Sequence, residues 1–195
     1  KKMTRPSNPE LKGKIKKIAA EEITKKGYEN INMREIARRA SVTPTTIYYY
    51  YKNKDDLFDE IKKDAMDIMD SYILSKIIES DKPTKQLETV MNAFMDWSLS
   101  NPGLARFVFD KLPNKIDDAV YSKSYYKSVE IIEKGKKTGE FGTKESELDV
   151  TIGTSSMFGL ALLIISGAYH PKYKKRIPDL KKRLIEMFVN QIRKK

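Results

Sequence analysis

Thr43-Pro44-Thr45-Thr46, followed by Tyr48-Tyr49-Tyr50-Tyr51 and Lys52-Asn53-Lys54, is the stretch of this 195-residue chain whose side chains could do chemistry together. Thr43 suits a helix N-cap, and Pro44 suits the first helical position, where its missing N–H costs nothing. The helix therefore opens on hydroxyls and closes on tyrosine and lysine. Small polar side chains at a helix start can meet base edges, and threonine methyls suit thymine. Aromatic hydroxyls and lysine at the helix end can meet phosphates. Successive residues of a helix point about 100° apart, so four tyrosines in a row cannot all be buried. Just ahead, Ile36-Ala37-Arg38-Arg39-Ala40-Ser41-Val42 reads as another short helix and a tight turn. Together they make the pair of helices that lays its second member in the major groove of DNA.

The charge is placed to support that contact. The chain carries a formal +11, and residues 1–54 hold 14 Lys/Arg against 5 Asp/Glu while residues 55–195 hold 24 against 22. A basic excess confined to the segment with the two-helix motif is the footprint of a polyanion partner, and a merely solvated basic surface is the plainer alternative. There is no cysteine and a single histidine, His170 before Pro171, so thiolate metal sites are excluded and neither a metal site nor any cofactor is expected. Asp55-Asp56 and Asp117-Asp118 read as helix starts, and no glycine-rich phosphate loop is present. Catalysis is not expected.

The elements around the motif read as all-α. Leu11, Ile15, Ile18, Ala19 and Ile23 share one helix face, which Gly27 ends in a left-handed stop. Asn32 caps a second helix with Glu35 as its capping-box partner, and Ile36, Ala37 and Ala40 form its inner face. Asn53 caps a fourth helix, with Leu57, Phe58, Ile61, Ala65, Ile68, Met69, Tyr72 and Ile73 as its buried stripe. Further helices are expected at Leu87–Met95, Leu104–Phe109, about 114–138, Glu145 to Ala168, and Pro178 to Ile192. The uncharged run from Val150 to Pro171 approaches the roughly 20 residues that span a bilayer. Its Gly, Ser and Thr content instead predicts a buried helix packed closely on another, and no membrane partner. Residues 1–54 form a three-helix head and residues 55–195 a larger helical body.

The chain resembles the tetracycline-repressor (TetR) family of bacterial transcriptional regulators. The resemblance begins near Ile15 and runs through Gly27-Tyr28, Ile36-Ala37, Ala40, Val42, Thr43, Thr46, Ile47, Tyr48, Tyr51, Lys54 and Leu57. It covers about 50 residues, and beyond residue 60 it is architectural only. Three positions depart from the family pattern. Ser41 stands where the turn carries glycine, so it either turns left-handed at a cost or the turn differs. Thr45 replaces a second glycine, trading a backbone approach to phosphate for a side-chain contact. Tyr51 replaces phenylalanine, and its hydroxyl needs a partner.

The resemblance implies that Thr43, Pro44, Thr45, Thr46, Tyr48, Tyr49, Tyr50 and Lys54 face DNA, with Asn32 or Arg34 adding phosphate contacts. Tyr48 is open between packing and phosphate contact. It also implies a cytoplasmic homodimer whose heads read half-sites of a palindromic double-stranded operator, about 34–36 Å apart or at a longer multiple. The dimer face is expected on the last two helices, at Gly153, Ser156, Gly159, Leu184 and Phe188, the alternative being that these are intramolecular core. A small apolar or aromatic effector is expected among Met91, Phe94, Met95, Trp97, Phe107, Tyr125, Tyr126, Met157 and Phe158, with Asp96 or Glu130 able to select a cation. Residue by residue, such a stripe is more often core than ligand box. Two other classes fit the basic head: a constitutive architectural DNA-binding protein with no effector, and an RNA-binding helical protein.

Overall fold

A computed structural model of the protein describes residues 8–110 and 122–194. Among these residues the fold is all-α, with nine helices and one isolated bridge between Phe141 and Arg193. The chain forms two compact units, Lys1–Ala65 and Met66–Lys195.

In the first unit, α1 (Pro9–Lys26) is capped by Asn8, whose side chain accepts from the Leu11 N–H at 3.1 Å. Its buried face is Ile15, Ile18, Ala19 and Ile23. Gly27 ends it at φ 76°, ψ 149°, a region essentially reserved for glycine and different from the helical left-handed stop expected. Next, α2 (Met33–Ala40) is capped by Asn32, which accepts from the Arg34 N–H at 2.9 Å. Glu35 does not close the expected capping box. Its carboxylate takes two bonds from Arg38, at 2.6 and 3.1 Å, because a guanidinium one turn along offers a charge-assisted pair. The following helix, α3 (Pro44–Tyr50), opens on Thr43, whose hydroxyl accepts from the Thr46 N–H at 3.2 Å.

Between α2 and α3, Ser41 adopts the left-handed conformation, φ 60°, ψ 43°, the sole non-glycine positive φ among the described residues. Its N–H reaches Arg38 O at 3.1 Å and the Val42 N–H reaches Ala37 O at 3.0 Å, so the two bonds close α2 as a glycine would. A side chain there costs roughly 1 kcal/mol. Ser41→Gly is therefore expected to stabilise the protein by about 1 kcal/mol, read as a higher urea midpoint at unchanged m-value.

The helix α4 (Lys54–Ser75) starts in the first unit and ends in the second. Asn53 accepts from the Asp56 N–H at 2.8 Å, and Asp56 in turn accepts from the Lys52 N–H at 2.9 Å. Leu57, Phe58, Ile61 and Ala65 are buried, Lys12 pairs with Glu60, and Lys16 pairs with Asp64 at 2.6 Å. These contacts hold the first turns of α4 in the head, so the division falls at residue 65 and not at 54, where the helix begins.

The second unit comprises the rest of α4, α5 (Pro83–Ser100), α6 (Pro102–Asp110), α7 (Lys123–Thr138), α8 (Ser146–Ser166) and α9 (Ile177–Ile192). Its centre is α5, with Leu87, Met91, Phe94, Met95 and Trp97 buried. The expected start of a helix near 114 lies outside the described residues, as does Asp117-Asp118. On α4, Met69 and Ile73 are buried as expected, but Ile68 is 58% exposed and Tyr72 half-buried. The buried row runs Ile61, Ala65, Met69, Ile73, four residues apart, and Ile68 lies off it.

α8 is not enclosed as the sequence suggested. Ser146, Val150, Gly153, Met157 and Ala161 form a single buried row. It is long and apolar enough to cross a membrane by length and composition, yet only 22% of its most apolar window is buried within this chain. Gly153 is required by packing: a Cβ there would lie 2.8 Å from the Phe188 ring of α9.

Candidate nucleic-acid interface and interior cavity

α3 has a single buried residue, Ile47, and it anchors the helix from one side. The opposite side carries Pro44 and Thr45, both exposed, then Tyr48 and Tyr49, each 51% exposed. Tyr48, open between two roles on sequence alone, thus projects outward. The Thr43 and Thr46 hydroxyls lie 2.9 Å apart and bond to each other, while Thr45 is exposed between them in sequence. Asn32, the cap of α2, and Arg34 in its first turn are exposed.

Two of the expected DNA-facing residues are engaged within the head. The Tyr50 hydroxyl accepts from the Asn8 N–H at 3.2 Å, and its ring meets Tyr49 edge-on at 5.2 Å. Lys54 donates to the Ile31 carbonyl at 3.0 Å and sits 5.1 Å over the Phe58 ring, half-buried. It therefore braces the entry to α2 against the start of α4. Tyr51 leaves the helix altogether, with φ −133°, ψ 118°, and is fully buried. Its hydroxyl donates to Lys12 O at 3.3 Å, which supplies the partner that a tyrosine in place of phenylalanine needs. Burial, then the carboxylates of Glu60, Asp64 and Asp56, push this phenol above its ordinary range. α3 itself carries no charged residue. Cations for phosphates must come from outside it, and Arg34 and Lys52 are exposed on either side in sequence.

Behind this surface Arg39 joins α2 to α1 through Glu22 and Glu21, both at 2.7 Å, and Lys26 joins Glu22 at 2.7 Å. Hydrogen bonds from Arg39 to Glu21, from Lys26 to Glu22 and from Arg38 to Glu35 hold all three carboxyls below the usual carboxylate range. A carboxyl depressed in the folded state stabilises it above the unfolded value, about 4.3 for Glu, and loses that contribution as pH falls through the folded value. Stability of the head is expected to decline below about pH 4.3, with Arg39→Gln flattening the decline. Amide exchange of α1 and α2 in the full chain measures it.

The second unit contains a cavity of about 90 Å³ lined mainly by apolar side chains. Met91, Phe94, Tyr125, Met157 and Phe158 line it as expected. Phe94, Phe109 and Phe158 pack mutually at its edge, with centroids 4.2 to 5.8 Å apart. Met95, Trp97 and Phe107 are buried elsewhere in the core, and Tyr126 is 52% exposed, so these four do not line it. Asp96 pairs with Lys181 at 2.7 Å and Glu130 with Lys127 at 3.0 Å, both exposed and outside the cavity.

The sequence reading missed Met66, Met69, Val150 and the hydroxyls of Ser122, Ser124, Ser128 and Thr154, which also line it. Gly153 and Phe188, expected at a dimer face, are cavity walls packed on one another within the chain. Leu184 is half-buried, while Ser156 and Gly159 are exposed.

A basic helix-turn-helix head followed by a separate helical unit defines a class, the DNA-binding transcriptional regulators. Residues 15–61 match the family model for bacterial regulatory proteins, tetR family. The chain is 28% identical over 149 residues to the fatty acid metabolism regulator protein of Bacillus subtilis (strain 168), covering 72% of this chain and 74% of that one. It is 29% identical over 76 residues to the Transposon Tn10 TetC protein of Escherichia coli, spanning 39% of this chain and 38% of TetC. Solved structures share the fold: a tetR family transcription regulator from Shewanella sp. PV-4 superposes at TM-score 0.73 with 16% identity, covering 95% and 99% of the two chains. RolR in complex with resorcinol superposes at 0.69 with 14% identity, covering 94% and 88%. Residues 15–61 thus carry the DNA-binding head of the tetR regulatory family, and the described chain shares the fold of solved tetR-family regulators.

Proposed function

We propose that this chain is a cytoplasmic, ligand-responsive repressor that binds a palindromic operator as a homodimer and has no catalytic activity. The observation that carries the reading is the outward face of α3, Thr45, Tyr48 and Tyr49, presented after the left-handed turn at Ser41 within the strongly basic residues 1–54. Thr43 to Thr46 read base edges there. With no charged side chain on α3, thymine methyls are the natural targets of Thr45 and the tyrosine rings. Tyr49, Asn32 and Arg34 hold phosphates, and Lys54 acts through its brace on Ile31.

Dimerisation uses the exposed side of α8 together with α9, and the cavity of the second unit takes a small apolar or aromatic effector. The effector favours a state in which α4, which has residues in both units, alters head spacing and weakens operator binding. The small cavity volume favours one second reading, a constitutive DNA-binding protein. Selection of bound duplex from random DNA, with and without candidate effectors, tests both. A palindrome with thymine-rich half-sites, lost on adding a compound, is the expected result. Recovery of no palindrome overturns the repressor reading, and a palindrome that no compound affects favours the constitutive one.

A further inference from the structure

The cavity's polar end is built around an acid that does not itself line it. Asp70 of α4 is 3% exposed and accepts from the Lys123 N–H at 2.7 Å, the Ser124 N–H at 3.1 Å and the Ser124 hydroxyl at 2.6 Å. The start of α7 would otherwise present those donors, and its dipole, to an anion. Here a resident carboxylate has taken them. The neighbouring hydroxyls are also committed as donors or caps. Ser122 caps the Tyr125 N–H at 3.2 Å and lies 2.9 Å from the Ser124 hydroxyl, and Ser128 donates to the Ser124 carbonyl at 2.7 Å. What these three serines keep is oxygen lone pairs, backed by a negative charge, with Thr154 the other hydroxyl residue close by in the lining. No described residue lining the cavity is Lys, Arg or His.

We propose that this cavity takes an uncharged, mainly apolar molecule, with at most a hydroxyl-type donor at its polar end, and that Asp70 makes it exclude anions. The proposal rests on the effector reading above and assigns Asp70 as a positioning and selectivity residue. An anion entering here loses its hydration, meets no cationic partner and approaches the Asp70 carboxylate through one layer of serine. An alcohol instead donates its hydrogen to the Ser122 or Ser124 oxygen and buries its hydrocarbon against Met69, Met91 and Met157, whose flexible side chains can open the space it needs.

The test uses the full chain carrying methyl-13C methionine, titrated near neutral pH with two isosteric series: hexanol, hexanoate and hexylammonium, then benzyl alcohol, benzoate and benzylammonium. Shifts at Met69, Met91 and Met157 locate binding in the cavity. The expected result is that an alcohol binds at least about tenfold more tightly than both charged isosteres. A charged isostere that binds as well as its alcohol overturns the proposal while leaving the effector reading standing. If no member of either series moves those methyls, the effector reading falls and the proposal falls with it. In Asp70→Asn the acid is expected to gain at least about tenfold relative to the alcohol. A folded variant that still rejects the acid removes Asp70 as the cause.

Discussion

Replacing Tyr51 by alanine is expected to cost the head about 3–5 kcal/mol and to abolish operator binding, whereas Tyr51→Phe costs about 1 kcal/mol and preserves it. The ring is fully buried, immediately follows α3, and lies beneath the Lys12 ammonium at 5.3 Å. It thus joins three elements: its backbone N–H closes α3 on Ile47 O at 3.0 Å, its hydroxyl reaches Lys12 O on α1, and α4 starts three residues later. Alanine empties the largest fully buried side chain among the described residues, and a core so small has few neighbours able to collapse into the space. Phenylalanine keeps the packing and loses the hydroxyl's weak, 3.3 Å bond to Lys12 O and its interaction with Glu60. Denaturation followed by amide signals of α1 to α3, beside operator titration, checks the pair. If Tyr51→Ala leaves α3 protected and DNA binding intact, the ring does not hold the recognition helix in place.

The same residue shows what the sequence reveals and what it hides. Four adjacent tyrosines prove that some are exposed, but identical side chains give no sign of which. That depends on where α3 ends, and it ends at Tyr50 because Tyr51 turns extended to fill the core. Caps were legible at Asn32, Thr43 and Asn53 because each needs only a side chain two or three residues from the N–H it serves. Glu35 was not, since its local partner Arg38 competes with the capping box on the same helix. Nor was Asp70, whose partners lie 53 and 54 residues away on another helix. An acid next to the buried Met69 was the available signal, for a carboxylate flanking a buried row must find donors if it is buried too. The cavity was half legible. Aromatic and methionine positions on α5, α7 and α8 are right in kind, but which of them face a void depends on helix rotations that spacing alone does not set.

The remaining large effect concerns the exposed side of α8. Leu148, Ile152 and Leu163 are about half exposed, Ser156 and Gly159 lie between them, and Met187 on α9 is 62% exposed. At 1.5 Å per residue this 21-residue helix offers a face about 30 Å long, and two such helices can supply the roughly 800 Å² per partner of a stable interface. Gly153 and Phe188 hold α8 to α9 inside the chain, so the proposed homodimer would meet at Ser156 and Gly159. Gly159→Arg is the discriminating change. A Cβ at Gly159 meets nothing within 4 Å, so the fold accepts the side chain and helix propensity rises by about 1 kcal/mol. Across a close helix contact the same arginine brings bulk and an unpaired charge. The expected outcome is a monomer by sedimentation with helicity retained and operator affinity lower by about 10²–10⁴-fold, the gain that two linked heads obtain from one duplex. Gly153→Arg is the contrast: it drives its side chain into the Phe188 ring and is expected to unfold the second unit. If Gly159→Arg stays dimeric and binds operator normally, the two copies meet on some other face.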